Sequence, residues 1–140
     1  MRFIRYINEG IGKILYHGTT EENAEKIIKQ GFKTGMVKGS LGSNSISFTV
    51  DKDDWERFGD VAVKWKFSSN LEKRFLDYEN EKVRYDFFDF CEGRNKLSSR
   101  YTLENLKAYG NYVGIREMEK KAIEYRVYDI SVIKKKDLFI

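Results

Sequence analysis

Apolar residues recur along the chain in short blocks whose period changes from segment to segment. Lys13-Ile-Leu-Tyr-His17 predicts a strand, broken by Gly18. Ala24, Ile27 and Ile28 then follow at i, i+3 and i+4, the buried stripe of an amphipathic helix. Thr19 or Thr20 stands where an N-cap belongs, Glu22 and Glu25 lie in or near the first turn, and Gly31 stands at the C-terminal cap. Ser45-Ile-Ser-Phe-Thr-Val50 alternates and predicts a second strand, with a short helix or turn over Asp51–Phe58. Val61–Phe67 predicts a third strand, with Val61, Val63, Trp65 and Phe67 on one face. Leu71–Leu76 and Thr102–Tyr109 read as short helices, and Ile123–Ile130 and Lys136–Ile140 as closing strands. Residues 77–100 mix charged and aromatic residues without a clear period, and residues 1–12 read as an amphipathic lead-in with Phe3, Ile4 and Ile7 on one side. Strands at both ends with short helices between them predict a single α+β domain over residues 1–140.

Composition narrows the function classes. A chain of 140 residues with 41% hydrophobic and 15% aromatic residues is not an intrinsically disordered one. The absence of proline excludes a proline-rich linker or ligand. Lys and Arg number 26 against 22 Asp and Glu, a net charge of +4 with the signs interleaved, which does not by itself mark a nucleic-acid binder. Arg94, Lys96 and Arg100 with Tyr101 form a candidate basic patch, but no arrangement of base-reading aromatics accompanies them. A lone cysteine, Cys91, excludes an internal disulfide and a cysteine-rich zinc site, and reads as a core residue among Phe87, Phe88 and Phe90. No apolar run is long enough to span a membrane, and Met1–Gly10 lacks the apolar stretch of a signal peptide, so a cytoplasmic protein is expected. The glycine- and serine-rich loop at 33–45 has too few carboxylates for a metal loop and no phosphate-loop spacing.

Candidate chemistry concentrates at three points. His17, the only histidine, stands at a strand end before glycine; alone, such a residue reads as structural. Leu15-Tyr-His-Gly-Thr19, followed by a helix ending Ile28…Gly31-Phe32, resembles the opening of the ADP-ribosyltransferase superfamily, on its diphtheria-toxin-like and poly(ADP-ribose) polymerase-like side. Ala122-Ile-Glu-Tyr-Arg-Val-Tyr-Asp-Ile130 followed by Lys136–Ile140 is similar to the end of those catalytic domains. Between them, Ser45-Ile-Ser-Phe-Thr-Val-Asp51 matches the family's middle strand, with Ser47 where many members carry tyrosine. In this it looks more like the serine-bearing branch and like short viral and bacterial members. The resemblance covers residues 13–60 and 112–140, and the chain's small size suggests a phage or bacterial effector.

The resemblance implies two small antiparallel sheets flanking an NAD cleft. It also implies a transfer of ADP-ribose from NAD to a macromolecule, with release of nicotinamide and no metal. The expected acceptor is a protein, with a nucleic acid as the lesser alternative, and the enzyme is expected to act as a monomer. Glu124 falls on the catalytic glutamate, whose carboxylate would stabilise an oxocarbenium-like ribosyl cation. His17 would donate a hydrogen bond to a ribose hydroxyl, Gly18 would clasp the nicotinamide carboxamide through its backbone, and Thr19 would add a polar contact. Ser47 or Thr49 would orient Glu124, and Phe58, or Trp55 beside it, would stack on the nicotinamide. Glu117 and Glu119, in Arg116-Glu-Met-Glu-Lys-Lys121, read as a solvated charged turn or helix, or as an acceptor loop. Two other functions share these residues: an NAD glycohydrolase, and an inactive module binding NAD, ADP-ribose or a protein.

Overall fold

The computed structural model describes residues 12–33, 38–39, 42–43, 45–94, 101–119 and 122–140. In chain order they form strand β1 (Lys13–Thr19), helix α1 (Glu21–Gln30), the two-residue strands β2 (Lys38–Gly39) and β3 (Gly42–Ser43), and β4 (Ile46–Thr49). A 3-10 turn at Asp54–Phe58 leads to β5 (Val61–Phe67), and another at Ser69–Arg74 to β6 (Phe75–Asp77). Helices α2 (Glu81–Arg94) and α3 (Leu103–Gly110) precede β7 (Gly114–Glu119), β8 (Ala122–Val127) and β9 (Leu138–Phe139).

Helix α1 begins and ends where its caps require. The Thr20 hydroxyl accepts the Asn23 N–H at 3.2 Å, and Gly31 leaves the helix at φ 75°, a left-handed value that a side chain would penalise. Thr102 caps α3 in the same way, accepting the Asn105 N–H at 3.1 Å.

The class is α+β, but the strands build one open seven-stranded sheet rather than two small ones, in the order β6-β7-β8-β4-β1-β5-β9; β2 and β3 pair apart from it. Only β6 and β7 run parallel. The sheet is nevertheless weakly joined at its middle. β1 pairs with β5 along its whole length, from Lys13 opposite Phe67 to Thr19 opposite Val61, whereas β1 and β4 share one pair, Tyr16 opposite Thr49.

Alternation of side chains then sorts the residues onto two faces. One face carries Leu15, Phe48, Val63, Trp65, Phe67, Tyr125 and Val127, covered by Ala24 and Ile27 of α1. At the β6 end of the other face, Leu76 and Ile115 pack with Tyr128, Phe87 and Cys91 of α2, and Leu106 of α3. Cys91 is thus a core residue, as its neighbours suggested.

Several segments differ from their sequence reading. Leu71–Leu76 is the end of a 3-10 turn running into strand β6. The segment without a readable period holds α2, obscured because its aromatics lie all round: Phe87 is buried while Tyr85 is exposed. Arg116–Glu119 belongs to a strand, because its charges find partners across the sheet rather than in water; Arg116 bridges Asp77 at 3.3 Å and Glu79 at 2.8 Å. β8 stops at Val127, and Asp129 caps the following turn by accepting from Ser131. The lead-in at 1–11, Lys96 and Arg100, and most of the 33–45 loop lie outside the described residues.

Candidate functional site

β8 presents Glu124 and Arg126 on the face away from α1, and the register carries that row onto its neighbours. Thr49 and Ser47 of β4 stand opposite Glu124 and Arg126, and Glu117 of β7 stands opposite Glu124 from the other side. Two carboxylates directly opposite one another on adjacent strands repel. Arg126 resolves this by lying between them: its Nε is 2.5 Å from Glu117 Oε1 and one Nη is 3.5 Å from Glu124 Oε2. Its other Nη donates to the Ser47 hydroxyl at 3.1 Å. Glu124 and Arg126 are both buried, 1% and 5% exposed. A charged pair taken out of water is tolerated only when its partners are in place, and the guanidinium fork supplies them.

This arrangement revises two expectations. Glu117 is not a solvated surface charge but a partner of Arg126. Thr49 does not orient Glu124: its hydroxyl donates to the Asp51 carbonyl at 3.2 Å and lies 3.5 Å from that of Tyr16. Ser47 acts on Glu124 through Arg126. Arg126 itself was overlooked, although an arginine two residues after Glu124 on a strand necessarily shares its face. The Glu119 side chain lies outside the described residues.

His17 occupies the place where the sheet opens. Its Nδ1 is 2.8 Å from the Ser47 carbonyl, so the ring fills the gap that backbone pairing leaves between β1 and β4. A carbonyl can only accept, which puts the proton on Nδ1 and leaves Nε2 as an acceptor in the neutral ring. Burial pushes the imidazole below its usual pKa, more than the Ser47 carbonyl raises it, so the ring is neutral near pH 7. The ring N–H that was expected to meet a ribose hydroxyl is directed to the Ser47 carbonyl instead. The ring also packs edge-on against Phe32, with centroids 5.2 Å apart, and lies 5.7 Å from Phe48. Strand alternation sets His17 on the α1 side, while Tyr16 shares the face of Thr49 and Glu124. His17 and Glu124 thus approach the same residue, Ser47, from different sides.

Gly18 is needed for a reason other than a ligand. A Cβ there would lie 2.1 Å from the Trp55 carbonyl oxygen and 3.2 Å from the Phe58 Cβ, so the Asp54–Phe58 turn rests directly on β1. Gly59 makes the reciprocal close approach to the backbone of Thr19, which is buried beneath the turn. Phe58, 52% exposed, is left as the accessible aromatic on that turn beside Gly18, and Trp55 is half-buried.

The aromatic residue of the Glu124 strand, Tyr125, faces the core side. Its hydroxyl receives Lys13 Nζ at 2.8 Å and donates to Glu72 at 2.6 Å, and burial first and Glu72 next hold its pKa far above the usual value. Tyr128 is pushed up to about 12, chiefly by burial. Asp129 pairs with Lys107 at 3.0 Å and caps the next turn. The motif around Glu124 is therefore largely structural, with Glu124 and Arg126 its two inward charges on the other face.

Among the described residues, no group of three or more His, Cys, Asp or Glu is placed to hold a metal ion, and no helix is long and apolar enough to cross a membrane. Arg94 stacks over Phe90 and pairs with Glu104 at 3.7 Å, so the described part of the 94–101 basic patch is partly neutralised. No protein-family model, no curated protein and no solved structure matches the chain.

Proposed function

We propose that the chain cleaves NAD at the nicotinamide–ribose bond and transfers ADP-ribose to a macromolecular acceptor. The observation that carries this reading is the placement of Glu124. It is a buried carboxylate held by Arg126, on a face reached through Ser47 and Thr49 of the strand that parts from β1 at His17.

The side chains present suit this substrate. A carboxylate in a water-poor environment stabilises the positive charge that develops on the ribose as the C1′–N bond breaks. The bonding pair leaves with neutral nicotinamide, the acceptor attacks C1′, and its proton is released to a base, a role open to Glu124. The exposed Phe58 ring offers a stacking surface for nicotinamide, whereas His17, on the α1 face, acts only through the Ser47 backbone that it holds. Gly18 keeps the adjoining turn close enough to form that surface.

A binding module without turnover is the second reading, and the 1% exposure of Glu124 favours it. A carboxylate bound to its own arginine needs a shift of that arginine, or of the strand, before it meets a sugar. Incubating the protein with NAD, with and without a cell lysate, tests the assignment. Release of nicotinamide supports cleavage, and stimulation by lysate separates a transferase from a glycohydrolase. NAD binding without release supports the module.

A further inference from the structure

We infer that the open half of the sheet, on the face opposite α1, is a docking surface for single-stranded nucleic acid. The residues involved are Ile14 and Tyr16 of β1, Lys64 and Lys66 of β5, and Phe139 of β9. Register places them together: Tyr16 stands opposite Lys64, Ile14 opposite Lys66, and Lys64 opposite Phe139. Helices α2 and α3 cover the β6 end of this face, and neither apolar cluster includes Ile14, Tyr16 or Phe139. All three are only half-buried, and Lys66 is exposed.

The charge on this surface identifies the occupant. Lys64 Nζ and Lys66 Nζ each lie 5.6 Å from the centroid of the same Phe139 ring. Both ammonium groups thus flank the Phe139 ring in cation–π contact, and among the described residues neither forms an ion pair. With no described carboxylate paired to either, the two cations leave this surface positive and open to an anion. A phosphodiester chain supplies repeated anions, and its bases stack on half-exposed aromatic rings such as Tyr16. Acidic residues border the opposite end: Asp51, Asp53, Asp54, Glu56 and Asp60 lie between β4 and β5, where the turn packs on Gly18. The strand would therefore lie toward the Lys66 and Phe139 end. The inference requires no turnover, but the same face continues through Tyr16 and Thr49 to Glu124. A nucleic acid held there would be a candidate acceptor in place of the protein that the sequence led us to expect.

The test is fluorescence anisotropy of a labelled fifteen-residue oligothymidylate with the full chain, without NAD, between 50 and 200 mM salt. The expected result is binding that weakens with salt. The Lys64→Ala/Lys66→Ala variant should bind more weakly, its slope of log affinity against log salt shallower by about 1.4, since each phosphate contact to a single strand contributes about 0.7. Tyr16→Leu should weaken binding by about tenfold with little change in slope. Lys64→Gln/Lys66→Gln guards against misfolding and should match the alanine pair. No binding at 50 mM salt, a double variant that binds as the parent does, or equal competition by polyglutamate would overturn the inference. Because NAD is absent, any of these outcomes leaves the nicotinamide-release test unaffected.

Discussion

The Nε of Arg126 lies 2.5 Å from Oε1 of Glu117, a contact between adjacent strands β8 and β7 that lets two facing carboxylates share a sheet. Replacing Arg126 by methionine keeps much of the side-chain volume but leaves Glu117 and Glu124 opposed. Removing one partner of a buried pair costs about 3–5 kcal/mol. Urea unfolding should show a loss in that range; a loss below about 0.5 kcal/mol, within the scatter of surface substitutions, would mean that the pair is not buried in solution.

His17 gives the protein a defined acid sensitivity. Its pKa is depressed in the folded state, so at acid pH the unfolded chain binds the extra proton. The stability that its neutral form contributes is complete above the ordinary value near 6.5 and is lost as pH falls through the lower folded value. It is the only histidine, so its imidazole proton signals can be followed by NMR without assignment of neighbours. A titration midpoint below 6.5 is expected; a midpoint at or above it would contradict the buried, Ser47-bonded ring.

Two glycines should respond differently to alanine. Gly18→Ala would drive a methyl group into the Trp55 carbonyl at 2.1 Å and displace the Asp54–Phe58 turn. Overpacking of this kind costs about 1–3 kcal/mol or more. Gly31→Ala meets open space, and only its backbone, φ 75° with ψ 177°, opposes it, a cost of about 1–3 kcal/mol with no clash added. Melting temperatures should rank parent, Gly31→Ala and Gly18→Ala in descending order. The reverse order of the two variants would show that the turn does not rest on β1.

The aromatic cluster under α2 offers an independent check of the second core. Phe87 is fully buried among Tyr78, Tyr109 and their neighbours, and Cys91 lies 1% exposed one turn further on. Phe87→Ala should cost about 3–5 kcal/mol. The Cys91 thiol should react with Ellman's reagent only after denaturant is added; rapid reaction in buffer would place α2 elsewhere.

What could be read in the sequence follows from how each residue obtains its partners. α1 was legible because its caps and its Ala24–Ile27 stripe are local. β5 was legible because one of its faces is wholly apolar. β7 was not, since Arg116 and Glu117 look solvated until Glu79 and Arg126 are brought across from other strands. α2 was hidden by aromatics that the fold uses on one side and exposes on the other. For the candidate site, Glu124 and His17 were singled out, but their relation was not. Whether a strand residue faces one side or the other depends on register, and the single Tyr16–Thr49 pair that sets it here leaves no sequence pattern.

On the proposed reading, Glu124 provides the charge for breaking the nicotinamide–ribose bond. The most direct measurement is the rate of nicotinamide release from NAD by the parent protein and by Glu124→Gln, each shown to be folded by circular dichroism at the assay temperature. Release by the parent is expected, with a loss of about a hundredfold or more in the variant, the scale seen when a preorganised charge is removed from an active site. Equal release by the two folded proteins would contradict that reading.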